Sequence, residues 1–457
     1  MVEKVARLAR YTSAFLAAVL LWGAAPTHAR GLKTGSLIRD SQVEAALHDF
    51  AAPLFEAAGL DPEKMHLYVI LDPELNAFAT TRYSIFVNTG LILRAKDARE
   101  LIGVLAHETG HIAAGHIARR EEMMKKATAI AMATALLGGA AIAAGGGDAG
   151  AGILTGGMQM AENAMMHYSR GQEASADQAA VRFLTRLHWP VEGLQSFMKV
   201  LASQELLSSA QQDPYSRSHP LSQDRVALLE RATIDHPDGA LPPSFEENFE
   251  RMRMKLHAFI DSPETTLRTY ARDDSDKGRF MRATALFLIG RGSEALGLAR
   301  TLTSAHPRDA AYWDLEGQIA FESGHIEQAV HAYGQAVSLR PKDALLRMLC
   351  AQAMLEGASN HYPEAQKHLE RSLLLEPDNP FAWRLLAVAY GKQHNTAMAA
   401  LCLAEEAVCV EQYQAAYDQA GRALKSLKSK EARLRASDIR NMAENELKKS
   451  GRLREDN

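Results

Sequence analysis

The sequence predicts a mainly α-helical protein with a small β-sheet in its first half and an α-solenoid of paired helices in its second half. In the first half, short stretches rich in β-formers are followed by long stretches with apolar residues at helical spacing. In the second half, Pro307, Pro341 and Pro377 recur at spacings of 34 and 36 residues, each between two helical stretches. A period of this length with a closing proline is typical of stacked helical hairpins.

Composition places the chain among globular proteins of two or three domains. Its 457 residues are 47% apolar and 23% charged, which allows a sizeable core. The formal net charge is only -4, so there is no electrostatic reason to expect a nucleic-acid partner.

The N-terminus has the features of a cleaved signal peptide over residues 1–29. Lys4, Arg7 and Arg10 precede an apolar stretch over 14–22, which is too short to span a bilayer. The chain then reaches a small residue, Ala29, after which cleavage is expected. An uncleaved N-terminal anchor is the alternative. Export would place the mature chain in an oxidising space.

The first domain is predicted over 37–235. A helix with its apolar face at 43–54 precedes a β-rich stretch over 66–71, and 76–79 and 84–88 are then predicted to form a β-hairpin. A long helix follows over 97–124, with Asp97 as its N-cap and Glu100 three residues later. A second long helix is predicted over 158–187.

Two histidines on the helix over 97–124 have the spacing of metal ligands. His107 and His111 are four residues apart, so they project from one face, about 6 Å apart along the axis. Both imidazoles can therefore reach one metal ion. Glu108 lies beside the first histidine and is free to act as a general base.

The third ligand must come from another element. Glu173 on the helix over 158–187 is the best candidate, and Asp177 lies one turn later on the same face, where it can accept a hydrogen bond from a ligating histidine. Two histidines and one carboxylate suit Zn²⁺. His116 is not expected to be a ligand, because five residues of helix turn it about 140° away from His111. We interpret it as a packing or hydrogen-bonding histidine.

Residues 127–147 contain no charged side chain and consist almost entirely of Ala, Gly, Ile, Leu and Met, with glycines at 138–139 and 145–147. The glycines favour a broken hairpin near the candidate site. Contact with a membrane surface, or a true membrane span, is the alternative.

The second half divides into a helical linker over 236–275, a repeat domain over 276–425 and a charged C-terminal helix or tail over 426–457. Small residues such as Gly317 alternate with large ones such as Tyr333, which lets paired helices stack. The period and the closing proline resemble those of the tetratricopeptide repeat.

Five segments together resemble a known protease family. They are Arg39-Asp40 with Glu44, the segment Asn76-Ala77-Phe78-Ala79, the segment His107-Glu108-Thr109-Gly110-His111, the segment 169–177, and Ser218-His219-Pro220 with Arg225. The set resembles the gluzincin family of HtpX and the CAAX prenyl proteases, and with the signal peptide and repeats it is similar to its BepA-type periplasmic members. The resemblance implies a zincin-like metalloprotease domain followed by the α-solenoid.

The resemblance also implies roles for individual residues. His107, His111 and Glu173 would hold one Zn²⁺, Glu108 would be the general base, and Arg225 would lie near the site. His219 would approach the metal as a fourth, inhibitory ligand at rest, although by its sequence alone a lone histidine before a proline is more often a loop residue. Asn76, Ala77, Phe78 and Ala79 would pair with an extended substrate.

The expected function is that of an exported zinc-dependent endopeptidase that cleaves misfolded or stalled envelope proteins and aids outer-membrane protein assembly or quality control. Its repeats would dock the assembly machinery or a substrate. One alternative is a chaperone or adaptor that acts through its repeats, with latent proteolysis gated by His219. Another is a membrane-embedded protease, based on residues 127–147.

Overall fold

A computed structural model describes residues 34–80, 83–119, 122, 170–205, 214–237, 239–357 and 361–450. These residues fall into two compact units, Gly31–Ile260 and Asp261–Asn457. They confirm the predicted class, a mainly helical protein with one small sheet in its first half. The predicted signal peptide and the segment 127–147 lie outside the described residues. Within the described part of the chain, no helix is long and apolar enough to cross a membrane.

The first unit contains a four-stranded sheet, whose strands are β1 (Leu37–Ile38), β2 (His66–Ile70), β3 (Ala77–Thr80) and β4 (Ser84–Asn88). Their order in the sheet is β1-β2-β4-β3. β2 and β4 run parallel, whereas β1 pairs with β2 and β3 pairs with β4 in antiparallel fashion. β3 and β4 form the predicted hairpin, and β3 is an edge strand of the described sheet.

The helices of this unit bury one continuous apolar core against the sheet. They are α1 (Ser41–Ala57), α2 (Thr89–Arg94), α3 (Ala98–Ala113), α4 (170–186), α5 (Glu192–Glu205), α6 (Pro214–Ser218), α7 (Gln223–Asp235) and α8 (Pro243–Ile260).

Helix α3 begins as predicted but ends earlier. Asp97 accepts a hydrogen bond from the Glu100 amide at 3.2 Å, which caps the N-terminus. The predicted continuation to residue 124 is wrong, because α3 ends at Ala113 and Gly115 has a φ of +65°. Left-handed backbone at this position ends an α-helix and favours glycine. A new helical turn then begins at residue 116.

Helix α8 belongs to the first unit, although the sequence predicts a helical linker over residues 236–275. Its Phe245 and Phe249 are buried in the core, and the ring of Phe245 lies 5.0 Å from that of Phe50 in α1. Buried Lys255 pairs with Asp40 at 2.7 Å, and Asp40 also caps α1 by accepting from two amides.

The second unit is a series of helical hairpins. Its helices are α9 (Pro263–Thr269), α10 (Asp276–Leu288), α11 (Gly292–Ala305), α12 (Ala310–Glu322), α13 (Ile326–Leu339), α14 (Ala344–Glu356), α15 (Tyr362–Leu375), α16 (Pro380–Lys392), α17 (Thr396–Cys409), α18 (Tyr413–Leu424) and α19 (Lys430–Lys449).

One contact recurs at the three repeat boundaries that carry the periodic prolines. The side chain six residues after the proline donates to the proline carbonyl: Trp313 to Pro307 at 3.0 Å, Arg347 to Pro341 at 2.8 Å and Trp383 to Pro377 at 2.8 Å. Within a repeat, Gly317 provides the space for a large side chain, since a Cβ there would lie 2.8 Å from the ring of Tyr333.

Candidate metal centre

Four buried side chains meet in the first unit. His107 and His111 come from α3, Glu173 from α4, and His219 from the residue after α6, and one ligand atom from each lies within 4.8 Å of the others. The Nε2 atoms of His107 and His111 are 3.0 Å apart. Glu173 lies 3.2 Å from His107 and 3.4 Å from His111. The structure thus brings together the predicted ligands and the predicted fourth ligand.

The His219 ring completes the group through its Nδ1 atom. Nδ1 lies 3.0 Å from a Glu173 oxygen and 3.3 Å from His107 Nε2. Ligands about 2.0–2.1 Å from a tetrahedral Zn²⁺ are roughly 3.3–3.4 Å from one another. The separations of 3.0 to 3.4 Å among His107, His111 and Glu173 therefore suit ligands of a single zinc-sized ion. His219 lies at similar distances from His107 and Glu173, and all four ligand atoms lie within 4.8 Å of one another.

The proton positions also favour a cation between these atoms. His107 Nδ1 donates to Asp177 at 2.8 Å, so in the neutral ring the facing Nε2 carries a lone pair. Burial lowers the pKa of His107, but hydrogen bonds to Asp177 and Glu173 outweigh burial and raise its pKa to about 10. Burial lowers the pKa of His111 to about 3, which keeps that ring neutral. The carboxylates of Asp177 and Glu173 therefore stabilise positive charge at the centre of the cluster, and His111 is its uncharged member.

Asp177 and Arg225 support the ligands from behind. Arg225 is buried and donates to Asp177 through Nη2 at 3.0 Å, while Asp177 holds the His107 ring. A second Arg225 nitrogen donates to the His219 carbonyl at 3.3 Å and to the Pro220 carbonyl at 2.9 Å. One guanidinium thus connects the loop that carries His219 to the carboxylate that orients His107.

Glu108 lies next to the cluster without joining it. Its carboxyl is buried, and Oε1 is 3.6 Å from His219 Nε2. Burial raises the pKa of Glu108 above its ordinary value. A carboxylate with a raised pKa that faces the ligand group suits the work of taking up a proton and releasing it again.

Tyr215 is a site residue that the sequence analysis missed. Its ring is fully buried and stacks on His219 with 4.3 Å between ring centres. The Tyr215 amide donates to the Leu75 carbonyl at 3.3 Å, two residues before β3. Nothing in the spacing pointed to this tyrosine, because its place depends on how the α6 turn folds over the cluster.

The predicted substrate strand lies beside this centre. The predicted segment 76–79 overlaps β3, which packs against α3, the helix that carries both histidines. One edge of β3 pairs with β4. The neighbouring Asn76 is tied to the sheet through its carbonyl, which accepts from the Asn88 amide at 3.0 Å.

His116 does not join the ligand group but contacts it. Its Nδ1 lies 3.1 Å from Nδ1 of His111, on the side of that ring away from His107 and Glu173. His111 is thus the hydrogen-bonding partner of His116.

Comparison with known proteins agrees with this arrangement. Residues 39–233 match the profile of Peptidase family M48, and residues 293–405 match the cytochrome c-type biogenesis protein H TPR domain. The Beta-barrel assembly-enhancing protease of Escherichia coli K12 is 25% identical over 79% of this chain and 74% of its own length. The Yersinia pestis protein of that name is 23% identical over 72% of this chain and 68% of its own length.

Among solved structures, a thermophilic TPR protein of Thermus thermophilus is 18% identical and covers 42% of this chain and 93% of its own, with a TM-score of 0.26, too low to support an argument. The sequence profiles and the curated relatives agree with the fold and with the buried histidine–glutamate cluster. The chain therefore contains a peptidase family M48 domain followed by a C-terminal tetratricopeptide-repeat domain, and it is homologous to the beta-barrel assembly-enhancing proteases.

Proposed function

We propose that this protein is a zinc-dependent endopeptidase of the periplasm that cleaves misfolded or stalled envelope proteins and aids the assembly or quality control of outer-membrane proteins. The observation that carries the proposal is the buried group of His107, His111 and Glu173 with Glu108 beside it. The peptidase family M48 match and the name of the curated relatives support the same function.

The roles of the residues follow from their positions. His107, His111 and Glu173 would hold Zn²⁺, which when bound supplies a Lewis acid for the scissile carbonyl. Glu108 takes a proton from the attacking water and returns it to the leaving amine. Asp177 and Arg225 keep the His107 ring in its orientation. Strand β3 offers its backbone to an extended substrate, and the repeats dock the substrate or the assembly machinery.

Substitution of Glu108 by glutamine tests the central assignment. The amide has the same shape but cannot take up a proton, so we expect cleavage of an unfolded protein such as casein to fall by at least ~100-fold. Zinc content and thermal stability should stay close to those of the parent, because the ligands are untouched. Glu74→Gln, at an exposed position before β3, is the matched control. Wild-type cleavage by the Glu108→Gln protein would show that another group is the base.

A second candidate function is that of a chaperone or adaptor that acts through its repeats, with proteolysis held latent. The observation in its favour is the position of His219, whose Nδ1 stands among the other ligand atoms. A closed group of four protein ligands is typical of structural zinc sites, whereas catalytic sites keep one position open. Removal of His219 separates the two candidates.

A further inference from the structure

The two histidines on α3 differ in what holds their outer nitrogens. His107 Nδ1 is held by the Asp177 carboxylate at 2.8 Å, whereas His111 Nδ1 lies 3.1 Å from the Nδ1 atom of buried His116. Two nitrogens at this distance share one proton, and one ring must accept. If His111 uses Nε2 for the cluster, its Nδ1 carries the hydrogen and His116 is the acceptor.

The backbone brings His116 to this position by leaving the helix. On a continuous α-helix, residue 116 would point about 140° away from residue 111. Instead α3 ends at Ala113, and Gly115 with its φ of +65° redirects the chain so that the two rings lie 5.1 Å apart in an edge-to-face arrangement. The turn is therefore what returns His116 to the ligand.

Helix α4 fixes the same segment from the other side. Gln172, the residue before Glu173, donates from its side-chain amide to the His116 carbonyl at 3.1 Å. The element that supplies the third ligand thus also holds the residue that contacts the second ligand. Because His116 is tied at both its ring and its backbone, its ring has little freedom to turn away from His111.

We propose that His116 is a positioning residue of the metal centre: by accepting the Nδ1 hydrogen of His111, it selects the tautomer and ring orientation that present Nε2 to the ion. This inference rests on the proposed function, because it requires that the cluster bind a metal. Hydrogen-bond partners of ligating histidines typically contribute 10–100-fold to metal affinity.

The test measures Zn²⁺ affinity by competition with a chromophoric chelator, using the full-length protein. His116→Leu removes the acceptor, and we expect it to weaken zinc binding about 10–100-fold. His116→Asn restores an acceptor oxygen of similar reach and should recover much of that loss. His48→Leu, which changes an exposed histidine on α1, is the matched control and should bind like the parent.

The outcomes are distinct. Equal zinc affinity in the parent and in His116→Leu would overturn the inference while leaving the proposed metal centre in place. A parent that binds no metal would instead overturn the proposed function. Nitrogen-15 NMR of the imidazole rings in the zinc-loaded parent needs no variant, so it decides the matter even if a substituted protein does not fold. The inference expects a protonated Nδ1 on His111 and a bare Nδ1 on His116, and the reverse pattern would contradict it.

Discussion

At the scale of single residues, His219 has the most consequence for activity. Its Nδ1 lies among the atoms of the cluster and its Nε2 faces Glu108 at 3.6 Å, so its ring stands between Glu108 and the cluster. Its place is set by stacking on Tyr215 and by the Arg225 hydrogen bond to its carbonyl. The Arg225 contact is to the backbone and persists when the side chain is shortened.

His219→Ala should therefore activate the protein while preserving its fold. A closed arrangement populated at ~90% would hold activity back about tenfold, and the alanine variant would release it. The measurement is the initial rate on an unfolded fluorescent substrate, with His48→Ala as the control. A rate below that of the parent would show that His219 assists cleavage. No cleavage by either protein, with retained binding of unfolded chains, would favour the chaperone function.

The sequence could point to this cluster because its chemistry is local. Two histidines four residues apart on a helix share a face in any fold. Glu173 lies within the segment 169–177, which resembles the protease family. Tyr215 and the contact between His111 and His116 could not be predicted in the same way. Both depend on turns, at α6 and at Gly115, that place side chains where no fixed spacing would put them.

At the scale of elements, the centre depends on how closely α3 and α4 approach each other. Gly110 lies between His107 and His111, and a Cβ there would be 2.8 Å from the Ala176 carbonyl oxygen and 3.2 Å from the Ala176 Cα atom. These are backbone atoms of α4, one turn after Glu173, so they cannot move aside without moving Glu173. Gly110 therefore sets the distance between α3, which carries His107 and His111, and α4, which carries Glu173.

Gly110→Ala should push the helices apart. We expect a loss of about 1–3 kcal/mol in the free energy of unfolding from overpacking, and weaker zinc binding because Glu173 shifts. Gly171→Ala is the matched control, since it lies on α4 with nothing within 4 Å of the added Cβ. It should be neutral or slightly stabilising, because alanine favours helix by about 1 kcal/mol over glycine. Denaturant titration and chelator competition measure both effects, and equal behaviour of the two variants would refute the close-packing argument.

At the scale of the whole molecule, the first unit extends beyond the boundary expected from the sequence. The sequence predicts that the first domain ends at residue 235, but α8 lies beyond that residue and packs on the same core. Glu246 of α8 also accepts a hydrogen bond from the Ala98 amide at 3.1 Å, at the start of the histidine-bearing helix. A charged amphipathic helix looks the same in sequence whether it bridges two domains or packs on one.

Truncation can distinguish the two boundaries. A fragment that ends at residue 260 keeps α8 and should unfold cooperatively and bind zinc. One that ends at residue 235 loses Phe245, Phe249, Met252 and Leu256, all buried. At roughly 1.5–3 kcal/mol for each buried side chain, that loss is comparable to the whole stability of a typical domain. Circular dichroism during thermal unfolding measures the difference, and a cooperative transition in the shorter fragment would restore the earlier boundary.

The edge position of β3 has a consequence for which proteins would be cut. Main-chain amides and carbonyls are the same in every polypeptide, so a strand that binds a substrate through them does not discriminate between residue types. Such a strand selects by conformation instead, because the main-chain groups of a folded β-barrel or helix are already hydrogen-bonded. Selection would then be kinetic. A substrate whose backbone stays without hydrogen-bond partners for longer would have a greater chance of being cleaved, and rapid folding would protect it.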